Sequence, residues 1–267
     1  MSIIYKGVEV GVTLDGSGGG KTVLSGTDPP TAAVGNNGDI YLQYVEWTMP
    51  ELPSGYTALR AIISTGTQYI DTGVSPNTDT SFEIDNLIFN SIGNYWNSVL
   101  GQGDVNGRIW AFRFRSSTGG LQFQIGADGD AISLFTPVIG TEYQVSGGNG
   151  SVTVNGSTYS GNLGTLTNPL DTLGLFGYAH GGYCTSVQLR ACRIYDNGTL
   201  TRNFVAAKRD SDDEVGLYEL QNDVFYLNNG TGSFSAKEEQ NGEITAAYVK
   251  CGGTWEPLIG ANIEDLN

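Results

Sequence analysis

From Ser54 to about Ala236 the chain repeats one pattern: short runs in which β-branched and aromatic residues alternate with polar ones, closed by glycine, asparagine or aspartate. Alternation has the two-residue period of a strand, and Gly, Asn and Asp are the residues tight turns require. The runs are Thr67–Thr72, Thr80–Phe89, Asn97–Gly101, Ile109–Arg115, Gly120–Gly126, Glu142–Ser146, Ser151–Asn155, Asp171–Gly177, Ser186–Tyr195 and Val224–Leu227. No helical pattern of about 10–15 residues separates them, which predicts an all-β antiparallel sandwich and excludes βαβ units and a helical bundle. Asn155-Gly156 between Val152-Thr-Val154 and Thr158-Tyr159 predicts a hairpin. Only Asn203–Asp213 has the character of a helical turn. The alternation assigns Phe82, Leu87, Phe112, Phe114, Phe123, Leu175 and Phe176 to the core.

Charge and rare residues narrow the chemistry. The net charge is −15, with only 13 Lys and Arg, so a surface that tracks phosphates is excluded, and nucleic acid is not an expected partner. No apolar run approaches the roughly 20 residues of a membrane helix, and Met1–Val12 lacks the basic start and apolar stretch of a signal peptide. One histidine and three cysteines cannot supply a Cys/His zinc cluster without using nearly all of them. His180 lies in the Gly-rich run Tyr178-Ala-His-Gly-Gly-Tyr183, where a polar surface role competes with activation of a nucleophile. If Cys184 and Cys192 share one continuous strand, their Cα atoms stand roughly 26 Å apart, too far for a disulfide. Cys251 has no evident partner, so three free thiols are expected.

The chain ends differ from the middle. Ile4 to Leu14 alternates like a short strand, and Asp15-Gly-Ser-Gly-Gly-Gly20 breaks it. The turn Gly35-Asn-Asn-Gly38 leads into a strand at Asp39–Tyr44, and Met49-Pro-Glu-Leu-Pro53 reads as a linker.

Two resemblances follow from particular segments. Leu52-Pro-Ser-Gly-Tyr-Thr57 with Ile63-Ser-Thr-Gly-Thr-Gln-Tyr-Ile-Asp-Thr-Gly73 resembles the opening of concanavalin A-like (laminin G-like) domains of gut phage and prophage tail proteins. Arg193-Ile-Tyr-Asp-Asn-Gly-Thr-Leu200, Arg202-Asn-Phe-Val205, Lys208-Arg-Asp-Ser211, Glu214-Val-Gly-Leu-Tyr218 and Gly230-Thr-Gly-Ser-Phe234 resemble that family's closing segment. The resemblance implies a jelly roll of two antiparallel sheets over residues 51–236. Gly35-Asn-Asn-Gly-Asp-Ile-Tyr-Leu-Gln43 and Ala247-Tyr-Val-Lys-Cys-Gly-Gly-Thr-Trp255 are similar to the two halves of a small module of phage tail fibres and tips. Residues 1–50 and 237–267 are therefore read as one β module, split by insertion of the sandwich. Strand Asp39–Tyr44 is expected to pair with Ala247–Cys251, and either Tyr41 and Trp255 pack beside the ribbon or other subunits complete the sheet. The resemblance further implies a virion protein made in a host bacterial cytoplasm, commonly homotrimeric. Its implied partners are other tail or baseplate proteins and a bacterial surface glycan or protein receptor.

The candidate chemistry is of three kinds. Laminarinase-type hydrolases of this fold carry three carboxylates on one strand; here Glu83-Ile-Asp85 is followed by Asn86, Leu87 and Ile88, so the third is missing and no enzyme is expected. Asp128 and Asp130 offer oxygens to Ca²⁺, as the resemblance allows, but a pair is too few for a calcium cage, and Asp-Gly turns are the competing account. Carbohydrate recognition needs exposed aromatic faces with polar groups beside them. Two segments supply them: Tyr95, Trp96, Asp104, Asn106, Arg108 and Trp110 in one, and Tyr178, His180 and Tyr183 in the other. Packing in a sandwich core is the competing account for each aromatic. The expected function is attachment to a bacterial surface; the alternatives are a ligand-free structural or decoration module and a glycan-degrading enzyme.

Overall fold

The computed structural model describes residues 2–5, 8–11, 23–45, 50–93, 96–103, 108–115, 119–127, 130–148, 150–166, 169, 171–237 and 243–257. Every regular element among them is a β-strand, and none is a helix long and apolar enough to cross a membrane. The chain divides into two compact units, Met1–Thr48 with Glu239–Asn267, and Met49–Glu238.

The larger unit is an antiparallel β-sandwich. One sheet runs in the order Ala131–Ser133, Gly120–Gly126, Ile109–Arg115, Ser98–Gln102, Gly174–Leu175, Ile70–Asp71. The other has the spine Ser157–Ser160, Ser151–Val154, Glu142–Gly148, Ser81–Phe89, Ala191–Asp196, Thr199–Arg209, Val215–Glu219, Val224–Tyr226, with four short strands joined beside it. All seven side chains assigned to the core by alternation are buried. They meet in an aromatic layer: Phe82 stacks on Phe112 at 5.6 Å between centroids, and Phe89 sits edge-on to Phe114 at 5.4 Å. Each such ring contributes about 1.5–3 kcal/mol by burial alone, so this layer sets the stability of the unit.

Strand Ser81–Phe89 explains how both Ile84 and Leu87 face inward. Asn86 has φ 54°, in the left-handed region, and the pairing with Glu142–Gly148 shifts register between Tyr143 and Val145. This bulge reverses the parity, so Phe82 and Ile84 precede it on the core face and Leu87 and Phe89 follow on the same face. The hairpin at Asn155-Gly156 forms as expected, with φ 46° and 80°, values a two-residue turn of this hand demands.

Several sequence expectations need correction. Asn203–Asp213 is not helical: Thr199–Arg209 is the longest strand of the unit, pairing with Ala191–Asp196 and then Tyr56–Ala58 along one edge and with Val215–Glu219 along the other. Pairing along both edges overrides the local propensity of Ala206, Ala207 and Lys208. Thr67–Thr72 and Asp171–Gly177 shrink to Ile70–Asp71 and Gly174–Leu175. The run Ser186–Tyr195 breaks at Arg190 into Val187–Leu189 and Ala191–Asp196, and Cys184 lies in the loop before them. All three cysteines are nevertheless free: Cys192 in the core, Cys184 half-buried, Cys251 exposed.

In the smaller unit, Ile40–Val45 pairs antiparallel with Glu243–Cys251, with Tyr41 opposite Tyr248 and Leu42 opposite Ala247. Thr254–Pro257 extends this pair on one side, and Val23–Gly26 adds on the other as a parallel strand that the sequence did not suggest. Gly26 is required there: a Cβ would lie 2.1 Å from the Tyr41 hydroxyl. The Tyr41 and Trp255 rings pack edge to face at 5.7 Å, as expected. Loop 31–35 closes over Lys250, whose Nζ donates to the carbonyls of Ala32, Val34 and Gly35 at 2.6–2.8 Å. The run Ile4–Leu14 is two paired strands, Ser2–Tyr5 and Val8–Gly11, rather than one.

Candidate functional site

Strand Ile109–Arg115 has two unlike faces. Trp110, Phe112 and Phe114 point into the core, while Ile109, Ala111 and Arg113 point to the outer face of the six-stranded sheet. That outer face is covered. Arg113 is only 1% exposed, and its guanidinium lies 3.4 Å from the centroid of the Trp96 ring, a cation–π stack. It also donates to the Gln124 side-chain oxygen and, at 3.3 Å, to the Tyr178 hydroxyl.

Two loops form the cover, and they are fastened to each other. The Ser98 amide donates to the Tyr183 carbonyl at 2.7 Å, and the Asn97 side-chain amide donates to the Cys184 carbonyl. In loop 177–184, Gly181 and Gly182 take φ of 84° and 89°, which lets the Gly181 amide bond back to the Tyr178 carbonyl at 2.9 Å. Tyr178 is the buried pillar of this loop, with the Tyr183 ring at 5.3 Å and the His180 ring at 5.8 Å. His180 Nδ1 sits 3.0 Å from Asp171 Oδ2, with both side chains open to solvent.

Trp96 and Tyr183 have φ of 77° and 51°. Bulky side chains rarely adopt the left-handed region, which costs about 1–3 kcal/mol per residue and persists where the surroundings enforce it. Here the fastened loops enforce it; one face of the half-buried Trp96 ring is taken by Arg113, while the Tyr183 side chain is 49% exposed. Next to Tyr183, an open groove of about 570 Å³ runs along loops 64–69 and 228–232.

Of the residues singled out from sequence, Trp96, Tyr178, His180 and Tyr183 come together in this cluster. Trp110 does not: it is fully buried on the opposite face of its strand, edge-on to Phe82 at 5.7 Å and Phe123 at 5.1 Å, so it is a core residue and no ligand platform. Tyr178 likewise supports the loop and presents no open face. Arg108 precedes the strand, half-buried, its carbonyl accepting from Gln102 Nε2 at 2.7 Å. Tyr95, Asp104, Asn106 and Asp128 lie outside the described residues. Asp130 is half-buried in a turn closed by its own amide on the Ala127 carbonyl at 3.2 Å. Among the described residues no group of three or more His, Cys, Asp or Glu is placed to hold a metal ion.

Sequence reasoning missed Arg113, Asn97, Tyr69 and Asn229. For Arg113 a signal existed: its parity puts it opposite Trp110, Phe112 and Phe114, on the face that carries the loops.

The carboxylates Glu83 and Asp85 share one partner, Arg193. Arg193, cross-strand from Glu83, donates Nε to Glu83 at 2.7 Å and Nη2 to Asp85 at 3.1 Å, and the Tyr195 hydroxyl donates to Glu83 at 3.0 Å. Partial burial pushes the Glu83 carboxyl up, but the Arg193 and Tyr195 hydrogen bonds and the Arg193 charge outweigh it and hold it below its usual value.

No protein-family model matches the chain, and no curated protein does. Among solved structures it is similar to a protein from Bacteroides ovatus described as a "putative carbohydrate binding protein", at 14% identity and a TM-score of 0.46, over 79% of this chain and 72% of that one.

Proposed function

We propose that the sandwich unit is a glycan-binding module of a phage tail fibre, spike or baseplate tip, displayed for attachment to a bacterial surface. One observation carries the binding role: two bulky aromatics, Trp96 and Tyr183, are held in left-handed backbone by loops fastened to each other. Flat rings of this kind stack on the C–H faces of sugars, and neighbouring polar groups read the hydroxyls. The tail setting rests on the concanavalin A-like end motifs and on the split GDIYLQ and YVKCGGTW strands, which also make other tail proteins and a homotrimer the natural partners. Binding rather than hydrolysis is favoured because Glu83 and Asp85 are engaged by Arg193 and a third carboxylate is missing.

An array of bacterial surface polysaccharides, probed with the full chain, tests the proposal. A hit that weakens by about tenfold in Trp96→Ala and in Tyr183→Ala supports it, since an aromatic stack contributes about 0.5–1.5 kcal/mol. Failure to bind any glycan would leave a scaffold. Release of reducing ends by the wild type, lost in Glu83→Gln and Asp85→Asn, would make the protein an enzyme.

A further inference from the structure

We infer that the glycan is a neutral one and that it runs from the Tyr183 ring into the groove between loops 64–69 and 228–232. The inference rests on the binding role proposed above and adds the ligand's class and path.

The groove walls are set before any ligand arrives. Asn228 Oδ1 accepts from the Tyr69 and Gly230 amides at 3.1 and 2.8 Å, and its Nδ2 donates to the Gly232 carbonyl at 2.8 Å. Thr67 Oγ1 donates to the Thr231 carbonyl at 2.9 Å, and buried Gln68 spans from Ser64 to the Ser233 carbonyl. These bonds join segments about 160 positions apart in sequence, so the groove does not depend on a mobile lid. Binding to such a site avoids the ordering cost of forming it.

Into this fixed groove project polar groups that the fold does not use. The hydroxyls of Tyr69, Tyr183 and Thr231 and the side-chain amide nitrogen of Asn229 have no hydrogen-bond partner among the described residues. The carbonyl oxygen of Asn229 is already taken, accepting from the Asp71 amide at 3.1 Å. The floor is bare backbone: at Gly182 nothing lies within 4 Å of where a Cβ would stand. Two tyrosine rings, hydroxyl and amide donors and glycine backbone make a surface suited to sugar rings bearing hydroxyls.

Among the described residues no Asp, Glu, Lys, Arg or His lines the groove. A uronate or sialate carboxylate would find no cation there to offset whatever hydration it gives up. The chain's net charge of −15 opposes a polyanion at longer range as well. Both considerations select an uncharged polymer.

The test is isothermal titration of the full chain with soluble neutral glucan, mannan and galactan and with polygalacturonate, each at low and physiological salt. The variants are Tyr69→Ala, Tyr69→Phe, Asn229→Asp and Tyr183→Ala. The expected result is binding to a neutral polymer, weakened about tenfold by Tyr69→Ala and by Asn229→Asp and about threefold by Tyr69→Phe, with unchanged melting temperature for Tyr69→Phe and no uronate binding at either salt. Asn229→Asp keeps the oxygen that the Asp71 amide needs, so its loss of binding would report on the groove and not on the fold. Uronate binding as tight as the neutral polymer's overturns the ligand class. Unchanged affinity in all three Tyr69 and Asn229 variants, with loss in Tyr183→Ala, overturns the path while leaving the aromatic platform in place. Absence of binding to every polymer overturns this inference together with the binding role itself.

Discussion

In the sandwich unit the largest buried side chains are nearly all aromatic, Trp110, Phe82, Phe89, Phe112, Phe114 and Phe123 among them. In the unit made from the chain ends, the buried apolar side chains among the described residues are Ile40, Tyr41, Leu42 and Ala247. Directed polar bonds do the remaining work: Lys250 gathers three carbonyls of loop 31–35, Asp39 accepts from the Asn36 amide at 2.7 Å, and the Trp255 indole donates to the Thr31 carbonyl at 3.0 Å. The contrast among the described residues is between a wide aromatic layer in the larger unit and a cluster of directed polar bonds centred on Lys250 in the smaller one.

The largest effect expected from breaking this contrast is at Trp110. Trp110→Ala should destabilise the sandwich unit by about 3–5 kcal/mol through the cavity it leaves, measured by denaturant unfolding. Trp110→Phe should cost much less, because the Trp110 indole N–H has no hydrogen-bond partner among the described residues, so no bond to them is lost. If the two variants are equally damaging, the aromatic layer is not what holds the unit.

Next comes Lys250→Met, which keeps the stem's volume but leaves three carbonyls without their donor. It should cost about 2–3 kcal/mol, read as loss of hydrogen-exchange protection at the Gly38, Tyr41 and Lys250 amides. Protection along Ile109–Arg115 should not change; a parallel loss there would refute the independence of the two cores.

Arg193→Ala has a smaller expected effect, below about 1 kcal/mol, since the Glu83 side chain is 42% exposed and the pair is screened. Its pH dependence is the sharper readout. A carboxyl held below its usual value stabilises the fold above that value, and the contribution disappears as pH falls through the lowered one. The stability gap between wild type and Arg193→Ala should therefore be constant at neutral pH and close below about pH 4.5. A gap that widens with acidification would contradict the assignment.

The cysteines give the smallest effect, one of rate. Cys251 is exposed and should react first with a thiol reagent, Cys184 more slowly, and Cys192 only on unfolding, because full burial pushes its thiol far above the ordinary range. The denatured, unreduced chain should titrate three thiols.

Legibility from sequence followed the same division. Ile109–Arg115 and Gly120–Gly126 match the sequence reading to the residue, because large apolar residues alternate with polar ones along each and turn residues close both ends, although loops also cover the polar face. Thr199–Arg209 was missed because its alanines sit where neighbouring strands crowd from both edges, a fact of tertiary pairing that local propensity does not encode. At the site, Trp96 and Trp110 show the limit most clearly. Trp110 is offered by the sequence reading as a ligand platform, although its parity with Phe112 and Phe114 points to the core where it lies. The exposure of Trp96, by contrast, depends on a left-handed backbone and a bond between two loops about 85 positions apart, neither of which composition reveals.

The central claim is that the Trp96–Tyr183 platform, not the aromatic core beneath it, meets the glycan. Labelling the protein with ¹⁵N-tryptophan and titrating it with a polysaccharide that binds tests this directly, because each indole N–H gives its own signal. The account predicts that the Trp96 indole signal shifts in proportion to occupancy while the Trp110 and Trp255 signals stay in place, and that Tyr183→Ala abolishes the shift. Saturable binding that leaves the Trp96 signal unmoved would contradict it.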